Sequence, residues 1–267
     1  MILEDSVVLI TGASAGIGAA ITRQVAQAGG QLVLTGRRQS KLEGLVSSCG
    51  LAEHHVLILA GDIREQTFCQ QLIDATVEKY GRVDVVINNA GLGHFGLLKD
   101  LHPDDFRQIW ETNVYGLAWL SQAAAKQMLI QTTEAHTQRR GQIINVSSIV
   151  EDRPLVNQGA YTASKAAVNG YSRALRMELA EDDITVSILY PGLTATEFHT
   201  ARLGSSPKNP NRSSGIPAEK VAEQVVKAIQ WQKQEIYVTW YDWFFVQANR
   251  HFPALTDYVF RHVANGK

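Results

Sequence analysis

Short apolar, β-branched runs recur along the chain at intervals too long for hairpins. They fall at Val7–Ile10, Gln31–Thr35, His55–Ala60, Val83–Asn88, Gln142–Val146, Thr185–Leu189 and Glu235–Thr239. Between most of them the apolar positions change to helical spacing, as at Ala19–Ala28, Arg64–Lys79, Pro103–Ile130, Ala160–Ala180 and Ala218–Trp231. That spacing marks helices with one buried face. Strands alternating with helices predict an α/β fold whose parallel sheet is covered on both faces. No internal repeat and no long linker interrupts the pattern, so residues 1–267 read as a single domain.

Two segments break the rhythm. Residues 193–217 end in a stretch, Arg202–Pro217, that collects Gly, Ser, Asn and Pro, with Lys208 and Arg212 among them. This composition predicts a mobile substrate lid or a surface loop. Residues 240–267 form a C-terminal extension rich in aromatics: Trp240, Tyr241, Trp243, Phe244, Phe245, Phe252, Tyr258 and Phe260. Such a cluster is expected to pack on the core or on a second subunit. It has no polybasic companion to bring it to a membrane surface.

Composition narrows the partners. Lys and Arg number 25 against 26 Asp and Glu, a net charge of -1, which argues against nucleic-acid binding through broad phosphate neutralisation. Only two cysteines, Cys49 and Cys69, are present, without metal-type spacing, and no histidine–carboxylate pattern suggests a metal site. Two thiols fit a reducing compartment, with a single disulfide left open. No apolar run reaches the ~20 residues of a membrane helix. The first strand begins almost at once, and Asn145 and Asn211 match the glycosylation sequon only by chance. The expectation is a cytoplasmic protein.

Three local patterns carry chemistry. Thr11-Gly12-Ala13-Ser14-Ala15-Gly16-Ile17-Gly18 lies between the first strand and the first helix. Its glycines permit a sharp turn, close approach to a pyrophosphate and an open helix N-terminus. Its Gly-x3-Gly-x-Gly spacing departs from the general dinucleotide fingerprint. The second strand ends in Gly36-Arg37-Arg38, where an NAD-binding strand usually presents a carboxylate. Two guanidiniums there suit a 2′-phosphate and favour NADP(H) over NAD(H). Tyr161 and Lys165, four apart, share one helix face, and Ser148 ends a strand above the sheet. A nearby ammonium is expected to lower the phenol's pKa toward neutrality, and Ser148 could polarise a carbonyl.

Taken together, these patterns resemble the short-chain dehydrogenase/reductase superfamily, in its branch of roughly 250-residue enzymes, from Val7 to about Thr239. Asp62 after the third strand, Asn88-Asn89-Ala90-Gly91 after the fourth, Asn113, and Pro191-Gly192 with Thr196 complete the motif order. The resemblance implies a Rossmann-type doubly wound, seven-stranded parallel sheet. It implies that Tyr161 is the acid/base, that Lys165 holds the nicotinamide ribose and tunes Tyr161, and that Ser148 binds the reacting oxygen. Asn113 would anchor a water linked to Lys165. Asp62 and Ile63 would flank the adenine, while Asn89, Ala90 and Gly91 would pass beside the ribose. Pro191, Gly192, Thr194 and Thr196 would hold the nicotinamide, and Gly12, Ser14, Gly16, Ile17 and Gly18 the pyrophosphate turn. A homodimer or homotetramer is also implied.

The substrate implied is a small-molecule carbonyl or secondary alcohol, apolar and of moderate size. Leu155, Val156, Leu193, Phe198 and Leu203 predict an apolar pocket, which His94 borders and His199 could line. Residues after the NNAG turn differ from those of ketoacyl-carrier-protein reductases, and the glycine spacing differs from that of epimerases. A silent NADP(H)-sensing regulator of the same fold is the alternative, although such proteins typically lack the tyrosine or the lysine.

Overall fold

The computed structural model describes residues 3–133, 139–151, 155–199, 201–204 and 215–264, without the side chains of 199 and 260–264. Lys208, Arg212, the Asn211 sequon and most of the expected lid therefore lie outside the described residues, as does the His199 side chain.

In chain order the first half runs β1 (Val7–Thr11), α1 (Gly16–Gln27), β2 (Gln31–Gly36), α2 (Gln39–Cys49), β3 (Val56–Ala60), α3 (Gln66–Tyr80) and β4 (Val85–Asn88). A two-residue strand β5 (His94–Phe95) precedes α4 (Pro103–Trp110) and α5 (Leu117–Ile130). Then come β6 (Gly141–Val146), α6 (Gly159–Glu178), β7 (Ile184–Tyr190) and the short β8 (Thr194–Ala195), β9 (Leu203–Gly204) and β10 (Ile216–Pro217). Helix α7 (Ala218–Trp231), β11 (Glu235–Tyr237), α8 (Trp240–His251) and α9 (Pro253–Ala264) complete the chain.

Seven strands form one parallel sheet in the order β11-β7-β6-β4-β1-β2-β3. Alternation along β1 shows why the sheet is covered twice. Val8 and Ile10 enter the core shared with α1 and α7, whereas Val7 and Leu9 enter the core shared with α3, α5 and α6. The chain winds outward from β1 through β2 and β3, then returns to β4 on the other side and winds the opposite way. A crevice opens where the direction switches, beyond the carboxyl ends of β1 and β4.

The helix expected over Pro103–Ile130 is interrupted. Residues Glu111–Gly116 widen into a π-helical turn between α4 and α5. A Cβ on Gly116 would lie 2.7 Å from the Ile63 carbonyl oxygen, so this turn packs backbone against the loop after β3. Such a turn accommodates one extra residue and re-aims the side chains within it. The aromatics of the tail do not pack on the core of this chain. Trp240, Tyr241, Trp243, Phe244, Phe252 and Tyr258 are exposed, and α8 instead buries Asp242, Val246 and Asn249. The capping box of Thr239 and Asp242 and the Arg250–Glu151 ion pair (3.0 Å) hold α8 by its polar residues, leaving its aromatics outward.

Candidate active site

The turn after β1 is stitched to the turn after β4. Thr11 Oγ1 accepts hydrogen bonds from the backbone N–H groups of Asn89 (3.0 Å) and Ala90 (2.9 Å), and Asn89 Nδ2 donates to the Thr11 carbonyl at 2.9 Å. Gly12 and Gly16 have φ of 63° and 55°, the left-handed region where glycine is unstrained. A Cβ on Gly12 would lie 2.9 Å from Ala90 Cα, and one on Gly16 3.1 Å from Thr196. Helix α1 begins after Ala15, which supplies no side-chain cap, so its first N–H groups meet no local side-chain acceptor. A pyrophosphate fits a bare helix N-terminus of this kind. The chain's residues thus fit a nicotinamide dinucleotide.

One cleft of about 480 Å³ runs from this turn past Tyr161. Gly12, Ser14, Gly16, Ile17, Arg37, Arg38, Asp62, Ile63, Asn89, Ala90 and Gly91 line it, as do Pro191, Gly192, Thr194 and Thr196. Gly18 does not reach it. That residue is buried against the Gly12 carbonyl and Asn89, where it permits close helix–turn packing. Ser148, Tyr161, Lys165, His94, Leu155, Leu193 and Phe198 line the other part of the cleft, whereas Val156 and Leu203 do not. Val156 is exposed, and Leu203 pairs with His94 in the β5–β9 ribbon.

Helix α6 carries Tyr161 and Lys165 one turn apart. Lys165 Nζ donates to the Val146 carbonyl at 2.7 Å and lies 5.8 Å from the Tyr161 ring centroid. Burial pulls the Lys165 ammonium down to about 8. Burial also pushes the Tyr161 phenol up to about 12, opposed in part by the Ser148 hydroxyl that faces it. The expected lowering of the tyrosine by its lysine is therefore absent from this arrangement, because the ammonium is aimed at Val146 rather than at the phenol oxygen. Asn113 lies behind the cleft. Its side chain accepts from Leu92 N–H (2.7 Å) and donates to the Leu92 carbonyl and Ser164 Oγ (both 2.9 Å). Its side chain thereby fixes the loop after Gly91.

Asp62 is desolvated by burial, which favours the acid form, but the Arg64 hydrogen bonds (2.9 and 2.7 Å from its side chain) prevail and hold the carboxyl below its ordinary value. His94, expected to border the pocket, sits buried in β5 with no hydrogen-bond partner at Nδ1, and burial lowers its pKa. Asn145 of the other sequon is buried in β6 and donates to Ser172. Cys49 and Cys69 are both free thiols, and burial drives Cys69 up to about 12.

Leu92 and Gln158 line the cleft without a sequence signal, as ordinary loop and helix-start residues, and Arg202 lines it from the segment expected to form the lid. Glu197 also lines it and bridges Arg38 (3.3 Å) and Lys41 (3.1 Å). Asp242 reaches Gly192 so closely that any Cβ there would collide with its carboxylate. This contact was partly legible, because Thr239-x-x-Asp242 is a capping-box pattern.

The chain is similar to known proteins in sequence and in overall shape. An 11-beta-hydroxysteroid dehydrogenase-like protein of Arabidopsis thaliana is 31% identical over 269 residues, covering 98% of this chain and 82% of that one. A short chain dehydrogenase/reductase of Burkholderia phymatum, solved with NAD, superposes with a TM-score of 0.85 at 26% identity, covering 96% of each chain. An alcohol dehydrogenase of the archaeon Thermococcus sibiricus, complexed with 5-hydroxy-NADP, gives a TM-score of 0.73 at 27% identity over 88% of this chain and 96% of that one. The family model for short chain dehydrogenases matches residues 6–204. With that match, a seven-stranded doubly wound sheet and a dinucleotide turn at its switch point, this chain belongs to the short-chain dehydrogenase/reductase family of NAD(P)-binding oxidoreductases.

Proposed function

We propose that this oxidoreductase interconverts a carbonyl and a secondary alcohol using NADP(H) in preference to NAD(H). The observation that carries the reading is the meeting of Tyr161, Lys165 and Ser148 in the cleft that begins at the glycine turn. In the reductive direction the nicotinamide supplies the hydride to the carbonyl carbon. The Tyr161 hydroxyl gives its proton to the carbonyl oxygen, leaving a phenolate to be reprotonated from solvent, and the Ser148 hydroxyl donates a hydrogen bond to the same oxygen. In the oxidative direction Tyr161 acts as the base. Lys165 binds the ribose and stabilises the phenolate when its ammonium turns from Val146, while Asn113 is a positioning residue that holds the Leu92 loop. Arg37 and Arg38, both exposed at the end of β2, supply the cations for a 2′-phosphate.

The substrate class follows from the lining. Leu155, Leu193, Phe198, Ile149 and Val150 surround the space beside Tyr161 and favour an apolar ketone or alcohol of moderate size. The buried Nδ1 of His94 is a polar point at its edge. No described helix is long and apolar enough to cross a membrane, and we assign the activity to the cytoplasm. A homodimer or homotetramer through α6 is supported by the exposed small and apolar face of Ala163, Ala166, Gly170, Ala174 and Met177. The test is oxidation of NADPH and NADH against ketones of rising hydrophobicity. Turnover with NADPH that improves with apolar size is expected. Best activity on small polar carbonyls, or equal use of NADH, would contradict the substrate or the cofactor assignment respectively.

A further inference from the structure

Thr194, Thr196, Glu197 and Phe198 line the cleft as one short segment. Thr194 and Ala195 pair with Ile216 and Pro217, which fixes one end of the segment. Thr196 then packs on Gly16 of the dinucleotide turn, and Phe198 meets the Tyr161 ring with centroids 5.7 Å apart. Between them Glu197 is delivered to the corner beyond β2. Its carboxylate bonds Arg38 at 3.3 Å and Lys41 at 3.1 and 3.2 Å, and Arg38 also donates to Ser14 Oγ at 3.2 Å. Ser14 in turn sits over Gly36, where a Cβ would come within 3.5 Å of its hydroxyl.

Arg38 is one of the two cations that the proposed function assigns to the 2′-phosphate, and Lys41 stands beside it across the same carboxylate; the present inference rests on that reading. An oxyanion bridging Arg38 and Lys41 carries the charge and accepts from the donors that a phosphate monoester would claim there. We propose that Glu197 is a cofactor-discriminating residue: its carboxylate is an internal competitor of the 2′-phosphate for Arg38 and Lys41. NADP(H) displaces it, whereas NAD(H), with a plain 2′-hydroxyl, leaves the bridge in place. The carboxylate therefore lowers the preference that the two cations alone would give. Its side chain is 57% exposed, so the competition is modest, as for other solvated ion pairs.

Equilibrium titration of NADPH, NADH and adenosine 2′,5′-bisphosphate, followed by calorimetry, tests this with wild type, Glu197→Gln and Arg38→Ala. Glu197→Gln should tighten NADPH and the bisphosphate by ~3- to 10-fold, the size expected for removing a solvated competing charge, and leave NADH within about twofold. Arg38→Ala should weaken NADPH and the bisphosphate but not NADH. If Arg38→Ala has that effect and Glu197→Gln leaves NADPH unchanged or weaker, the competition is wrong while the cofactor assignment stands. If Arg38→Ala leaves NADPH binding intact, the 2′-phosphate corner itself is misplaced and both fall. Weaker NADH binding in Glu197→Gln would show the carboxylate holding ribose hydroxyls instead, which also overturns the proposal.

Discussion

The turn after β1 lines the cleft and the aromatic helix α8 stands behind it with Asp242 against Gly192, yet they are held in different ways. At the turn, Thr11, Gly12, Asn89 and Ala90 are locked by backbone-directed hydrogen bonds, and a side chain on Gly12 has no space. Helix α8 is anchored at its ends, by Asp242 at Thr239 and by Arg250 at Glu151, while Trp240, Trp243 and Phe244 stay in solvent. Where backbone meets backbone, nearly any substitution is felt throughout the site. Where a helix is held by two polar anchors, most of its surface is free to change without disturbing the chemistry.

Gly12→Val sharpens that contrast most strongly. It combines a positive φ with a Cβ 2.9 Å from the Ala90 backbone, and it should cost about 2–4 kcal/mol of stability. The dinucleotide should also bind ~100-fold or more weakly, because the turn no longer permits close approach. A thermal melt and an NADPH titration check both; a variant near wild type in both would break the comparison.

An intermediate effect is expected at Lys165, which the same close packing buries. Its folded pKa of about 8 lies below the ordinary 10.5. Below about pH 8 both folded and unfolded chains hold the proton, so folding carries the full desolvation cost. Between about 8 and 10.5 the unfolded chain binds more protons, and stability rises with pH. Lys165→Met should abolish that rise. Urea unfolding of the two proteins from pH 7 to 9.5 should give a difference that grows with pH, with a slope approaching ~1.4 kcal/mol per unit in mid-window. A constant difference would return Lys165 to its ordinary pKa.

The smallest effect belongs to the tail. Trp240→Ser and Trp243→Ser remove side chains that are 65% and 50% exposed, and each should change monomer stability by no more than about 0.5 kcal/mol. A larger loss, read by urea unfolding at low protein concentration, would mean that these aromatics pack on the domain after all.

What the sequence discloses follows the same division. Strands buried on both faces, such as Val7–Thr11 and Ile184–Tyr190, leave apolar runs that are hard to misread, and their ends came within a few residues of those observed. The glycine turn and the Tyr161–Lys165 spacing are legible because backbone approach and helix pitch constrain residue type and interval together. The π turn at Glu111–Gly116 was not, since one wide turn inside a helical period leaves no mark on apolar spacing. Neither was Glu197, an exposed acid in an irregular segment whose partners lie 156 and 159 positions away. Aromatic content alone does not say which face of α8 packs; the anchors Asp242 and Arg250 turn its aromatics away from the core of this chain.

The central claim is that Tyr161 carries the proton while the glycine turn carries the cofactor, and Tyr161→Phe separates the two. The measurement is NADPH affinity and steady-state carbonyl reduction of wild type and variant in parallel. The account predicts NADPH affinity within about twofold of wild type, with kcat lower by ~10²- to 10⁴-fold, the range for losing a positioned general acid. Reduction at an undiminished rate by Tyr161→Phe, with NADPH still bound, would contradict it.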